Sequence, residues 1–482
     1  MDARRTHTGW RAATLAVGAA LAVMALATTG WAQDGADAPA AFDGPIASAT
    51  DALWVIIAAV LVFLMQPGFM AFEVGFVRPK NTMVTAFKNA GDWLIVSVMF
   101  VLVGFGLMFG PTISGVVGSG LMPASFPFEA DPWFWAFVLF QLAFAGTAAT
   151  IVSGAMAERT SFLAYLVVSI GIGALIYPVF GHWAWGGFYF AEDAGGWLYR
   201  MGFIDFAGSS VVHGTGAWAA LAGVIIVGPR LGRYDRDGRR AELGTNSVMW
   251  SCLGLFLLWA GWFGFNGGSV LAFDASVPLI VLNTNVAAGI AGIVGVIHCL
   301  TMQRGRDLEA KVLGCVLGGL VAITACAHIV TLWSALAIGA IAAVVHNVTY
   351  ELVLDRWKLD DVVGAVPVHG FCGVWGILAV ALFGTDLPHG RLEQLGVQAL
   401  GAATNVVWAG GVAALLFLTL RAFASLRVPG MSEIRGLTLS GIVRPDDSSL
   451  DANADELLAA IEAEAELHEQ EELARAGLTF RR

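Results

Sequence analysis

Charge is scarce in this sequence. Of its 482 residues only 13% are Asp, Glu, Lys or Arg, about half the share found in soluble domains. A chain this long with so few charges cannot cover a globule with water-compatible surface, which excludes the soluble fold classes. The balance of −11 is acidic, but much of it comes from one stretch, 446–472, that begins with Asp446, Asp447, Asp451, Asp455 and Glu456. Nothing resembles a nucleic-acid surface, so no nucleic-acid partner is expected. Cysteine is also sparse. Cys252, Cys299, Cys315, Cys326 and Cys372 lie in or beside apolar runs and form no CxxC pair, so they read as small packing residues. The apolar runs hold no metal cluster and no nucleophile constellation. An enzyme, a resident metal and a cofactor are therefore not expected.

What the chain has in abundance is apolar length. Hydrophobic residues make up 57% and mean hydropathy is +0.73. The runs are roughly 18–25 residues long, enough to cross ~30 Å of hydrocarbon as helices that satisfy their own backbone hydrogen bonds. The 17 Trp and 59 Gly suit membrane interfaces and close helix packing. Residues 1–32 differ: Arg4, Arg5 and Arg11 precede an apolar stretch from Ala12 to Ala27, which predicts a signal peptide cleaved near Ala32. A polar segment, 33–50, follows and is expected in the periplasm. Eleven spans are then predicted, at 51–76, 91–110, 133–157, 160–181, 208–229, 246–267, 276–300, 311–329, 332–354, 362–383 and 394–424. The loops after odd-numbered spans hold Arg78, Lys80 and Lys88; Arg159; Arg230, Arg233, Arg236, Arg239 and Arg240; Arg304, Arg306 and Lys311; Arg356 and Lys358. The alternate loops hold only Arg200 and Arg391. This bias predicts an outside N-terminus and a cytoplasmic tail, 425–482.

Two segments repeat one pattern: Asp205-Phe-Ala-Gly-Ser-Ser-Val-Val-His213-Gly214 and Asp361-Val-Val-Gly-Ala-Val-Pro-Val-His369-Gly370. They open spans 5 and 10, five spans apart, and so enter from opposite sides. This predicts an all-α polytopic fold with a 5+5 inverted repeat and one added C-terminal helix. Eight residues of helix descend ~12 Å, close to half the hydrocarbon thickness, so both histidines are expected near the midplane. Asp205 and Asp361 suit N-cap positions. An ionisable residue inside a span is a functional candidate. Of the nine histidines only His213 and His369 are equivalent in the two halves. His182, His298 and His328 lie at span ends, and His346 suits hydrogen-bonded packing. A facing imidazole pair can share a proton or bond a small polar solute. Aromatics form a second cluster: Phe140 and Phe144 on one face of span 3, His182-Trp-Ala-Trp185 at the start of an outer loop, and Gly261-Trp-Phe-Gly-Phe-Asn-Gly-Gly-Ser269 at the end of span 6. Aromatic faces beside a hydroxyl can hold a small cation.

On Gly154-Ala-Met-Ala-Glu-Arg159, the Asp205–His213 segment, Gly261–Ser269 and Pro367-Val-His-Gly370, in that order, the sequence closely resembles the ammonium transporter (Amt/Rh) family, on the bacterial Amt side, over about 50–425. The resemblance implies an ammonium transporter domain over 51–424, a homotrimer with one pore per subunit, and a place in the inner membrane and in nitrogen assimilation. It implies recruitment of ammonium, with methylammonium as analogue, at Phe140, Trp185 and Ser269 near Asp205, and a gate of Phe144 and Phe265. Below the gate it implies a pore with His213, His369 and Trp262. Ammonia and a proton would pass separately, making transport electrogenic. The alternatives are an ammonium sensor signalling through its tail and an electroneutral channel for ammonia or carbon dioxide. A haem protein ligated by His213 and His369 is a third, of another class. Leu426–Leu437 is similar to the family's tail, where a PII-type signalling protein is a partner. Beyond it, Asp451 to Gly477 departs from the family, with a Glu/Ala-rich helical pattern.

Overall fold

The computed structural model describes residues 48–120, 131–187 and 195–437. The predicted signal peptide, nearly all of the 33–50 segment and the Glu/Ala-rich tail lie outside these residues. Eleven long helices form the body: α1 Ala49–Phe76, α2 Pro79–Phe109, α3 Pro132–Ala155, α4 Phe162–Trp185, α5 Ser209–Val227, α6 Val248–Gly268, α7 Val277–Met302, α8 Leu308–Thr324, α9 Leu332–Arg356, α10 Val366–Phe383 and α11 Arg391–Phe423. Their starts follow local chemistry. Ser48 and Asp51 cap α1 reciprocally, Asp131 caps α3 ahead of Pro132, and the Ser161 and Thr331 hydroxyls cap α4 and α9. Among the described residues the only strands are Thr112–Ile113 and Val117–Gly118, a two-stranded antiparallel ribbon after α2.

Helix neighbours are duplicated in the two halves. α3 packs on α2 and α5, and α4 on α2; in the second half α8 packs on α7 and α10, and α9 on α7. α1 and α6, the first helix of each half, pack along one another. This is the 5+5 inverted repeat, with α11 laid against α4, α5 and α10. α3 is buried along almost its whole length, and lines the centre. The closest approaches need small residues. At Gly104 in α2 an added Cβ would stand 2.4 Å from the Gly173 carbonyl oxygen in α4.

The loops that gather Lys and Arg form one face, called here the arginine-rich face, and the arginines bind it together. Arg230 stands between Glu158 (2.7 Å) and Asp360 (2.7 Å); Arg78 adds a contact to Glu158 and Arg233 one to Asp360. The buried Arg159 guanidinium donates to the carbonyls of Ala155, Ala157, Gly228 and Asp360. The first tail residues close over this network. Ser161 donates to the Leu426 carbonyl and Val428 to that of Arg159. Buried Glu433, in the short helix Gly430–Arg435, accepts from the Leu231 backbone and pairs with Arg427 at 2.8 Å.

Two expectations are corrected. Span 2 was placed at 91–110, with Lys88 in the preceding loop. α2 instead starts at Pro79, and Thr85, Lys88, Asn89 and Asp92 are buried within it. They recur at i, i+3, i+4 and i+7, a polar stripe turned inward. The sequence reading puts His182 and Trp185 at a span end, opening an outer loop. They form the last turn of α4, and His182 is buried between the Thr112 hydroxyl (2.8 Å) and the Met108 carbonyl (2.9 Å). His346 packs as expected, its Nδ1 3.2 Å from Asn347 Oδ1. All five cysteines are free, four of them buried.

Burial alone would raise the Glu158 carboxyl, but Arg230 and Arg78 outweigh it and hold it at about 2, below the ordinary 4.5. A carboxylate with depressed folded-state pKa adds stability above its unfolded pKa, lost as pH falls through the folded one. Glu158→Gln should therefore cost on the order of 3 kcal/mol at pH 7. The gap in melting temperature between wild type and variant should be full at neutral pH, shrink from about pH 4.5 downward and close near pH 2. A gap unchanged between pH 7 and pH 3 would refute this role.

Candidate functional site

Two helix beginnings build the site. Ahead of α5, Gly208 takes φ +108°, a left-handed conformation suited to glycine. This turns the chain so that the Asp205 carboxylate meets the bare N–H groups of the first turn. It accepts from the backbone of Gly208 (3.1 Å), Ser209 (2.7 Å), Ser210 (2.8 Å) and Val211 (2.9 Å), and from the Ser210 hydroxyl (2.7 Å). Asp361 does the same for α10, accepting from Ala365 (3.0 Å) and Val366 (2.8 Å). Both helices then open with a π-helical turn, Ser209–Gly214 and Val366–Phe371, and each turn carries one of the histidines. Such wide turns re-aim side chains and concentrate at functional places. Burial pushes the Asp205 carboxyl up and the Ser210 and backbone donors pull against it. Burial likewise pushes Asp361 up to about 6, against Val366 and Ala365.

His213 and His369 meet with Nδ1 to Nδ1 at 3.2 Å and ring centroids 5.2 Å apart. From them a continuous column of rings runs toward the arginine-poor face. His213 stacks on Trp262 at 4.9 Å and lies 5.3 Å from Phe265. Phe265 stacks on Phe144 at 3.9 Å, nearly parallel at 6°. Phe144 is 4.5 Å from Phe140 and 6.3 Å from Trp185. Trp262 is held by its indole N–H on the Thr324 hydroxyl (2.8 Å), and Trp185 by its own on the Asp205 carbonyl (2.7 Å).

Above the Phe144–Phe265 stack lies a vestibule of about 230 Å³, lined by Phe140, Phe144, Trp185, Asp205 and Ser269 among others. The Ser269 hydroxyl donates to the Phe265 carbonyl at 2.8 Å, which leaves its lone pairs free to accept. All nine residues singled out in the sequence thus fall on one line: Phe140, Trp185, Ser269 and Asp205 at the vestibule, Phe144 and Phe265 beneath it, and Trp262, His213 and His369 deepest. Sequence reasoning missed Gln141, Phe203 and Phe206 in the vestibule wall, and Thr324 behind Trp262. Gln141 sits one residue past Phe140 and had a signal, as a polar residue in an apolar span. Phe203 and Phe206 lie in a connection whose path the sequence does not reveal.

Comparison with known proteins identifies the family. Residues 53–442 match the model of the Ammonium Transporter Family. A Synechocystis protein named as a candidate ammonium transporter is 44% identical over 401 residues, covering 81% of this chain and 73% of the relative. Ammonium transporter Amt2 of Archaeoglobus fulgidus is 39% identical over 415 residues, 81% of this chain and 86% of that one. A solved structure named as a sensor Amt protein superposes with TM-score 0.79 at 42% identity, covering 82% of this chain and 98% of that chain. The Candida albicans Mep2 crystal structure superposes with TM-score 0.70 at 26% identity, covering 78% and 85%. The chain is a multi-pass membrane protein that belongs to the ammonium transporter family.

Proposed function

We propose that this chain recruits ammonium at the vestibule and conducts it past the Phe144–Phe265 stack as ammonia, with the proton following separately through the histidine pair. The column of rings from vestibule to histidines carries this reading. Ammonium and potassium share size and charge, so a site that only fits the cation would pass both. Among the described residues the column presents rings and no carboxylate to a charged ion, and keeping a charge there is costly. Ammonium alone can shed a proton and cross as a neutral molecule.

Trp185 and Phe140 supply ring faces to the cation, the Ser269 hydroxyl accepts one of its N–H groups, and Asp205 draws it by charge. Burial, by raising the proton affinity of Asp205, suits this carboxylate to a part in deprotonation. Phe144 and Phe265 exclude hydrated ions, Trp262 forms the deeper wall, and His213 with His369 bonds ammonia and relays the proton. The arginine bias supports a cytoplasmic position for the arginine-rich face, in a bacterial inner membrane. Exposed apolar side chains on α6 and α7 suit a homotrimer. The tail residues at the cytoplasmic face suit a PII-type signalling protein. A second reading, an ammonium sensor, is favoured by one observation, the likeness to the sensor Amt structure.

Ammonium added to a supported membrane carrying reconstituted protein should evoke a transient current that potassium does not. Replacing both His213 and His369 with apolar residues should reduce or abolish it; undiminished ammonium-selective current would remove the pair from the mechanism. No current in the wild type would leave electroneutral passage or sensing, which a vesicle pH assay separates. Trp185→Leu should raise the half-saturating ammonium concentration roughly 2- to 30-fold, the worth of one cation–π contact. An unchanged value would place recruitment elsewhere.

A further inference from the structure

On the arginine-rich side of the histidines, α1 and α2 bury a polar cluster to which the reading above assigns no task. Glu73 lies in the last turn of α1, with Lys88, Asn89 and Asp92 on α2. The Glu73 carboxylate is held by one oxygen only: Asn89 Nδ2 (2.9 Å) and Ser153 Oγ (3.0 Å) both donate to Oε2. Among the described residues, Oε1 accepts no hydrogen bond and no Lys or Arg forms an ion pair with Glu73. The nearby Lys88 ammonium instead donates to the Thr160 carbonyl at 2.8 Å. Room for the carboxyl group comes from Gly154, where an added Cβ would stand 3.1 Å from its carbon.

A small cavity with room for about one water lies between Glu73 and His369. Its remaining walls are apolar, among them Phe69, Phe72, Ile151, Leu317 and Val363. His369 engages His213 through Nδ1, so its ring joins the column on one side to this cavity on the other. Two ionisable groups thus share a chamber whose other walls are apolar. An intramembrane carboxylate without a direct cation partner is costly to keep unless it serves the transported species.

We propose that Glu73 is the proton acceptor beyond the histidine pair, taking up on Oε1 the proton that His369 releases across the cavity. An N–H bond of the His369 imidazolium breaks toward the intervening water, which passes one of its own protons on, and an O–H bond forms at Oε1. Imidazole and carboxyl both end neutral, and no electrons change hands. The other charged or titratable groups around Glu73 are Lys88 and Asp92 of α2 and Tyr165 of α4. Asp92 is engaged by the Tyr165 hydroxyl at 2.6 Å. This inference rests on the separate proton path of the proposed function.

The test compares full-length wild type with Glu73→Gln and Glu73→Asp in reconstituted membranes, reading ammonium-jump current and, in parallel, alkalinisation of the vesicle lumen by ammonia. Gln keeps the acceptor for Asn89 and Ser153 but cannot take the proton. It should lower the current about 100-fold while ammonia still alkalinises the lumen, and Asp should restore part of the current. Wild-type current in the Gln variant overturns the proposal. Infrared difference spectra with and without ammonium provide a second readout. A carboxylic-acid band present in wild type and displaced in the Asp variant supports it even where the Gln variant does not assemble, and a band unmoved by that change overturns it. A wild type without current would sink the electrogenic reading, and the infrared band would still decide whether Glu73 takes up a proton.

Discussion

A carboxylate set against bare backbone N–H groups decides where α5 and α10 begin. In hydrocarbon an unmet N–H costs several kcal/mol, and a helix start deep in the protein presents four of them. Asp205 meets four backbone donors and a hydroxyl, Asp361 two backbone donors. With its start fixed, each helix sets the depth of the histidine eight residues on. The π-helical turns then swing both rings onto one line. Shift either cap by a residue and its histidine would rotate by about 100°, away from its partner and from Trp262. The column of aromatic rings is built on top of this arrangement, since Phe265 and Trp262 both lean on His213.

The loops of the arginine-rich face solve a related problem by other means. Here buried charges are kept because each is ion-paired or hydrogen-bonded. Glu158, at φ +71°, holds an uncommon backbone conformation for a non-glycine residue, and so points its carboxylate between Arg78 and Arg230. Arg159 spreads its donors over carbonyls from three segments. These arginines carry the charge bias that predicts topology, yet several are buried and do structural work. The tail residues through Leu437 lie across the same network. Any partner that pulled on them would act on loops from both halves of the repeat.

Much of the architecture was legible because the membrane enforces simple patterns. Apolar runs of spanning length marked the helices, and two Asp-to-His spacings in opposite senses marked the repeat and the histidine pair. The aromatic site residues were named through family likeness, and the structure places them on one line. What escaped notice was polarity turned inward. Thr85, Lys88, Asn89 and Asp92 lowered the local hydropathy and made the first three turns of α2 look like a loop. Their 3.6-residue periodicity fits a helix with one polar face, but that face points in because its partners lie there: Glu73 accepts from Asn89, the Thr160 carbonyl accepts from Lys88, and the Tyr165 hydroxyl donates to Asp92. His182 was misjudged for the same reason: its partners, Thr112 and the Met108 carbonyl, come from a ribbon and a helix end that no local pattern ties to it.

The contact between the two Nδ1 atoms has one more implication. A neutral imidazole carries a single N–H, so this bond requires one ring to donate through Nδ1 and the other to accept. The two halves of the fold are equivalent by symmetry, but the pair cannot be, and it has two settings that differ only in which ring holds the hydrogen. A proton entering at one end and leaving at the other switches the setting. The pair then stands in the wrong sense for the next proton from the same side until the rings exchange hydrogens again. On the proposed proton path the histidines would act as a one-bit register, and the time taken to reset it would limit how fast charge can follow ammonia.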